Sequence, residues 1–144
     1  MPDDANIQTC PDDRVMQGVI PYLMVDGADK AIAFYEKAFG AKDLGTMRSE
    51  DGKHVMHSQL EINGGALMLS DAAVMGEKQA VSKSYMMQLV TREGDKWWKR
   101  AVDAGCTVDV PFEMQFWGDR WGKLRDPMGI SWALLEPGPQ NAKK

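Results

Sequence analysis

The chain has 144 residues, the length of one domain with a substantial core, and a formal net charge of −4. This acidic balance argues against a nucleic-acid partner, which would need a basic face. No apolar run reaches the roughly 18 residues of a membrane span, and Met-Pro-Asp-Asp at the N-terminus does not resemble a signal peptide. Cys10 and Cys106 are far apart and form no CxxC pattern, so we expect a reduced, cytoplasmic protein.

The first half of the chain predicts one strand, one helix and three further strands. Residues 1–17 are polar and predict a flexible leader. The helix should cover Ala28–Phe39 and end at Gly40, a residue suited to a left-handed C-cap. The strands are predicted at Ile20–Val25, Asp43–Ser49, His54–Ile62 and Ala66–Leu69.

The second half predicts the same order of elements. The helix is expected over Glu93–Ala104, followed by Gly105, and the residues from Pro137 to Lys144 should form a disordered tail. The strands are predicted at Ser84–Val90, Thr107–Phe112, Trp117–Arg125 and Ile130–Leu135.

A shift of about sixty-five residues superimposes the two halves of the sequence without a gap. The matched pairs are Val25 with Val90, Gly40 with Gly105, Gly64 with Gly129, and Leu69 with Leu134. A repeat of this length is one supersecondary unit used twice. We therefore predict a single α+β domain over residues 18–136, with modules at 18–71 and 83–136. Each βαβββ module should form a curved antiparallel sheet with one helix on its back, and the two sheets should enclose a cleft.

Three segments resemble the vicinal oxygen chelate superfamily, which contains glyoxalase I, bleomycin-resistance proteins and extradiol dioxygenases. They are Ala31–Tyr35, Ala38–Ala41 and Arg125–Gly129. Val55–His57, Leu67–Asp71 and Phe116–Gly122 resemble its PhnB-like branch more narrowly. The resemblance covers residues 18–136 and implies the glyoxalase/bleomycin-resistance-like fold and a homodimer.

The resemblance also implies where metal ligands would lie, with His or Gln on the first strand of each module and Glu on the last. The matching positions are Ile20, Met68, Tyr85 and Ala133, and a shift of one residue gives no better donors. The divalent cations that enzymes use for catalysis prefer imidazole nitrogens and carboxylate oxygens as ligands. We therefore predict no metal and no other cofactor.

Alternation along the strand His54–Ile62 divides its side chains between two faces. Met56, Leu60 and Ile62 form an apolar face suited to packing under a helix, and His57, Gln59 and Glu61 share the other face. His57 and Gln59 should be about 7 Å apart by strand rise, close enough to hold one ligand together. His57 is a candidate general base, or else a histidine that is hydrogen-bonded across the sheet. Glu61, beside the turn, is expected to be solvated.

The segment Gln115–Gly122 combines aromatic rings with polar donors. Trp117, Arg120 and Trp121 could form a stacking wall for a flat or cationic ligand. In the alternative, Trp121 packs in the core while Asp119 and Arg120 pair to fix the turn. Met68 and Met87 could line the site as adaptable thioethers, although methionines also fill cores. Tyr22 and Gln88 complete the predicted ligand-binding set; the facing of the Ser84–Val90 strand is left open.

Three functions are compatible with this pattern. The first is metal-independent binding of a small organic ligand, aromatic or cationic, as in bleomycin-resistance-type proteins. The second is an enzyme of the superfamily, a lyase, isomerase or dioxygenase. It would be metal-free with His57 as acid and base, or would use noncanonical metal ligands such as His57 and Glu61. The third is an interaction protein without a ligand.

Overall fold

The computed structural model describes Val15 and residues 17–139. Most of the predicted leader and the end of the predicted tail, residues 140–144, lie outside the described residues. The chain divides into two compact units at Gln79, with Lys37–Phe39 grouped with the second unit. Each unit contains one four-stranded sheet.

The first unit is built on the predicted strand and helix order. Its helix α1 covers Ala28–Phe39, as predicted, and Gly40 is left-handed with φ 63°. The strand bounds are β1 Tyr22–Val25, β2 Lys42–Arg48, β3 Val55–Ile62 and β4 Gly65–Asp71. A short 3-10 helix, Ala72–Met75, follows β4. The sheet order is β1-β4-β3-β2.

The second unit repeats this topology with the order β5-β8-β7-β6. Its helix α2 covers Gly94–Ala104. The strands are β5 Met87–Val90, β6 Thr107–Met114, β7 Arg120–Arg125 and β8 Ser131–Glu136. On the helix side of this sheet, the Trp98 ring of α2 stacks on Phe112, with ring centroids 5.4 Å apart. A Cβ on Gly122 of β7 would lie 2.7 Å from the Trp98 ring, so glycine is what lets that ring approach the strand.

The predicted α+β fold with two βαβββ modules is confirmed, but each sheet is mixed instead of purely antiparallel. β1 pairs with β4 in parallel, and β5 pairs with β8 in parallel. The reason is topological, because α1 carries the chain from β1 to the far edge of the sheet. Three consecutive antiparallel strands then return it, and the third runs in the direction of β1.

The core of the first unit lies on the face of its sheet nearest α1. Leu23, Leu60 and Leu69 are buried there, and Tyr35 of α1 is also buried. The predicted membership of Met56 in this apolar face is wrong, since Met56 is 41% exposed. A register shift between β2 and β3, opposite Met47 and Arg48, changes the alternation there, and Val55 is buried instead.

The prediction of a gapless repeat is wrong for the first strand of each module. Tyr22 pairs with Met68, whereas Gln88, sixty-six residues after Tyr22, pairs with Ala133, which is sixty-five residues after Met68. Val90 is consequently 51% exposed, unlike the fully buried Val25 to which the sequence matched it. The helix α2 is one residue shorter than α1, and this restores the original spacing before Gly105.

Candidate functional site

The face of the first sheet opposite α1, here called the distal face, collects most of the predicted site. Asp71 identifies the helix side of this sheet, because its carboxylate accepts hydrogen bonds from the Gly27 and Ala28 N–H groups at the start of α1. Side chains on the neighbouring strand positions therefore point the other way. By register, the distal face carries Tyr22, Met24, Met47, His57, Gln59, Met68 and Ser70.

A chain of hydrogen bonds joins three predicted site residues on the distal face. Tyr22 Oη is 3.2 Å from His57 Nδ1, and the two rings are stacked with centroids 5.7 Å apart. On the other side of the imidazole, Gln59 Nε2 is 3.4 Å from His57 Nε2. His57 thus lies between a phenol that is 40% exposed and an amide that is almost completely buried. The expected proximity of His57 and Gln59 is present in the structure.

These contacts determine what the site can offer a ligand. Burial lowers the pKa of His57 below its usual 6.5, so the imidazole is neutral near pH 7 and has one N–H group. With the Gln59 amide oriented so that its nitrogen faces Nε2, the amide donates, the imidazole proton is on Nδ1, and that proton is donated to the Tyr22 oxygen. The hydroxyl hydrogen of Tyr22 then points away from His57. The Tyr22 hydroxyl, at the exposed end of this series of hydrogen bonds, can therefore donate to a ligand.

The sequence prediction missed three residues of the distal face. Met24 and Met47 add flexible thioethers beside Met68, and Ser70 adds a fully buried hydroxyl. The alternation of Tyr22 with Met24 along β1, and of Met68 with Ser70 along β4, was the signal that could have identified two of them. Met47 could not be found this way, because the register shifts in β2 interrupt its alternation.

Three other predicted site residues meet on the second sheet. Gln88 pairs with Ala133 on the face opposite α2, which settles the facing of β5. Trp121 donates from its indole Nε1 to Gln88 Oε1 at 3.0 Å. The ring of Trp117 lies edge-on to that of Trp121, with centroids 6.2 Å apart. The structure therefore places Gln88, Trp117 and Trp121 in one aromatic cluster within the second unit.

Arg120 and Met87, both predicted to bind ligand, lie on the helix side of the second sheet. Arg120 donates to Asp95 Oδ1 at 2.6 Å and to Glu136 Oε2 at 3.2 Å. Its guanidinium also stacks 4.3 Å from the centre of the Phe112 ring. Asp119, the partner that the alternative gave to Arg120, accepts a hydrogen bond from the Gly138 N–H. Met87 pairs with the buried Trp132 on the same side.

The positions that the resemblance assigns to metal ligands do not fit a divalent metal ion. Met68 and Ala133 lie in the last strands, but the assignment of Ile20 and Tyr85 to the first strands is wrong, since both residues precede β1 and β5. The first-strand residues that pair with Met68 and Ala133 are Tyr22 and Gln88. Of these four residues only Gln88 is of a type that the resemblance places at a metal, and neither pair supplies an imidazole or a carboxylate, the donors that such ions prefer. Glu61 is engaged instead with Lys42, at 3.7 Å. Within Val15 and residues 17–139, no three His, Cys, Asp or Glu side chains are grouped to hold a metal.

Among the residues that the structure describes, no helix combines the length and apolarity needed to cross a bilayer.

The two modules, with a helix on one side of each mixed sheet, define a glyoxalase-like α+β protein, and comparisons with known proteins agree. The model of the Glyoxalase/Bleomycin resistance protein/Dioxygenase superfamily matches residues 13–134. The Uncharacterized protein Mb0911c of Mycobacterium bovis is 40% identical over 131 residues, covering 86% of each chain. The chain therefore belongs to the Glyoxalase/Bleomycin resistance protein/Dioxygenase superfamily.

Solved structures share the fold at low sequence identity. A putative 3-demethylubiquinone-9 3-methyltransferase, PhnB protein, from Bacillus cereus superimposes with a TM-score of 0.68 at 18% identity, covering 83% of this chain and 99% of that one. The fosfomycin resistance protein FosX from Listeria monocytogenes, complexed with Mn(II) and sulfate, superimposes with a TM-score of 0.64 at 14% identity. It covers 89% of this chain and 97% of that one.

Proposed function

We propose that this protein binds a small organic molecule on the distal face of its first sheet without a metal ion. The observation that supports the proposal is the hydrogen-bonded chain from Gln59 through His57 to Tyr22. Its buried end is fixed, and its exposed end can donate to a ligand. Binding sites commonly combine a few oriented polar groups with an apolar surround, and here the surround is the thioethers of Met24 and Met68.

The preferred ligand is an aromatic molecule with a hydrogen-bond acceptor such as a carbonyl group. Thioether sulfur makes favourable contacts with aromatic rings, and the Tyr22 hydroxyl would donate to the acceptor. A cationic ligand is less suited to this face. His57 is neutral, and a cation would have to compete with Lys42 for the Glu61 carboxylate.

The test is a binding screen with benzamide, phenol, benzoate and toluene, followed by thermal shift and by chemical-shift titration in NMR spectra. A compound that binds the native state must raise the melting temperature. We expect benzamide to bind more tightly than toluene, because only benzamide has an acceptor for Tyr22. The His57→Gln variant should bind benzamide about 2- to 10-fold more weakly, the range expected for one hydrogen bond.

The matched control is His54→Gln, which replaces the other histidine of the chain, an exposed residue 4.0 Å from Asp71. It should leave benzamide affinity unchanged. The proposal is overturned if none of the four compounds affects the wild-type protein, or if both histidine variants weaken binding equally.

A second function is favoured by the same neutral imidazole. A histidine that is unprotonated at neutral pH and hydrogen-bonded to a phenol can accept and return a proton, as a metal-free acid–base enzyme requires. Once turnover of any compound is detected, His57→Gln should abolish it while His54→Gln retains it. Full activity of His57→Gln would remove His57 from the mechanism.

A further inference from the structure

Ser70 lies on the distal face beside the chain of hydrogen bonds. Its partner in the parallel ladder is Met24, and it alternates with Leu69 and Asp71, whose side chains point toward α1. The pairing of β3 with β4 ends at Ser58 and Leu69, and the next positions along the two strands are His57 and Ser70. Ser70 is therefore a cross-strand neighbour of the imidazole.

The hydroxyl of Ser70 is fully buried and has no hydrogen-bond partner among the described residues. Buried polar groups in native proteins nearly always have a partner, because an orphaned one loses its hydration without compensation. Ser58 provides a direct comparison in the same sheet. It is equally buried, but it faces the helix side, and its hydroxyl is 2.9 Å from Thr46 Oγ1.

We infer that Ser70 is a ligand-contacting residue, and that the molecule bound on the distal face carries a second hydrogen-bonding group for it. This inference rests on the proposed function. Met24, the register partner of Ser70, is 42% exposed and has an unbranched side chain. Such a side chain can change rotamer at low cost, and the ligand group would pass beside it to reach the hydroxyl.

The consequence is a rule of specificity. A site with a buried polar group that only the ligand can pair binds less tightly any compound that leaves this group unpaired. The ligand class is therefore an aromatic compound with two polar substituents, one acceptor for Tyr22 and one group for Ser70. A hydroxyl group of a serine can both donate and accept, so it sets no further limit on the second substituent.

The experiment compares Ser70→Ala with the matched control Ser58→Ala, using benzamide and the 2-, 3- and 4-hydroxybenzamides as probes. Ser70→Ala should keep or slightly raise the melting temperature, because it removes an unpaired buried hydroxyl. Ser58→Ala should lower it by about 3–5 °C, because it breaks a hydrogen bond and leaves Thr46 short of one contact.

Binding supplies the second readout. At least one hydroxybenzamide should bind the wild type more tightly than benzamide, and Ser70→Ala should weaken that compound about 2- to 10-fold more than it weakens benzamide. The inference is wrong if Ser70→Ala loses as much thermal stability as Ser58→Ala, since the hydroxyl would then have a structural partner such as a bound water molecule. It is also wrong if Ser70→Ala affects both kinds of probe equally or neither.

The two proposals fail in different ways. Weaker benzamide binding by His57→Gln, together with no effect of Ser70→Ala on any probe, would leave the proposed function standing and reject the role of Ser70. Failure of the wild type to bind every probe would reject both.

Discussion

At the scale of single residues, the main feature of the distal face is that both hydrogen-bonding nitrogens of His57 already have partners. A neutral imidazole donates one hydrogen bond and accepts one, and Tyr22 and Gln59 supply both partners. The ring is therefore held in one orientation, and its influence on a ligand passes through the Tyr22 hydroxyl. A residue in this arrangement can set the polarity of a site without touching the ligand directly.

The first prediction concerns the pH dependence of stability. Burial lowers the pKa of His57, so the unfolded chain takes up a proton as the pH falls through 6.5 while the folded chain does not. The contribution of the neutral imidazole is complete above pH 6.5 and is lost progressively toward the lowered pKa. Urea denaturation at pH 7.5, 6.5 and 5.5 should show the wild type losing more stability than His57→Gln. Parallel losses would contradict this.

The second prediction separates Arg120 from ligand binding. Arg120 joins Asp95 at the start of α2 to Glu136 at the end of β8, and it covers the Phe112 ring. Lysine lacks the planar fork needed for these contacts together, so Arg120→Lys should lower the melting temperature by about 2–4 °C. Its benzamide affinity should equal that of the wild type.

The control for that prediction is Arg125→Lys, whose arginine pairs with Asp109 and is more exposed. It should change the melting temperature less than Arg120→Lys does. A loss of benzamide affinity in Arg120→Lys, with its stability unchanged, would restore Arg120 to the binding site.

At the scale of elements, both sheets hold the start of their helix with a carboxylate. Asp71, at the end of β4, accepts from the N–H groups of Gly27, Ala28 and Val55. Glu136, sixty-five residues later at the end of β8, accepts from the Gly94 N–H at 2.8 Å. The positive end of a helix dipole favours a negative charge at this place. The repeat has therefore retained a structural device in both modules.

The third prediction tests this device. Burial raises the pKa of Asp71, but the hydrogen bonds from Ala28, Val55 and Gly27 outweigh that effect and lower it. Asp71→Asn replaces one accepting oxygen with a donor that faces those N–H groups, and it should cost roughly 2 kcal/mol in chemical denaturation. The control Asp103→Asn removes an exposed ion pair with Lys99 and should cost no more than about 0.5 kcal/mol. Equal costs would show that Asp71 does not anchor α1.

Local pattern was enough to predict the elements of this fold, because their signals lie within a few residues. The helix Ala28–Phe39 was found from its apolar spacing and from Gly40. The predicted strand at Trp117–Arg125 was too long, since Gln115 N–H bonds to the carbonyl of Asp119 and closes a turn, and β7 begins at Arg120.

The facing of side chains could be predicted only where alternation was unbroken. His57 and Gln59 were placed together correctly because β3 alternates regularly from His57 to Ile62. Gln88 could not be oriented, since its facing depends on which residue of β8 it pairs with, and the repeat is displaced by one residue there. The sequence favours Arg120 as a site residue because it lies between Trp117 and Trp121, whereas the carboxylates that bind it come from distant segments.

At the scale of the whole molecule, the two modules share a scaffold, but the sheet faces opposite their helices carry different residues. The first module presents Tyr22, His57, Gln59 and Ser70, and the second presents Gln88 and Trp121 on the equivalent strands. Positions that support the helices have been kept, as Asp71 and Glu136 show. The asymmetry between the two modules therefore lies in these faces and not in the helix anchors.

The fourth prediction follows from the donors on those faces. Metal binding by the superfamily pattern would need donors on the first and last strands of both modules, and the paired residues there, Tyr22 with Met68 and Gln88 with Ala133, supply no imidazole or carboxylate. We therefore expect protein purified without chelator to contain less than stoichiometric Mn, Fe, Ni or Zn by elemental analysis after dialysis. Its melting temperature should be the same with and without EDTA, since a metal bound to the native state would stabilise it. The decisive comparison is with His57→Gln. A metal present at one equivalent in the wild type and absent from this variant would show that His57 is a ligand, and would reject the metal-independent site.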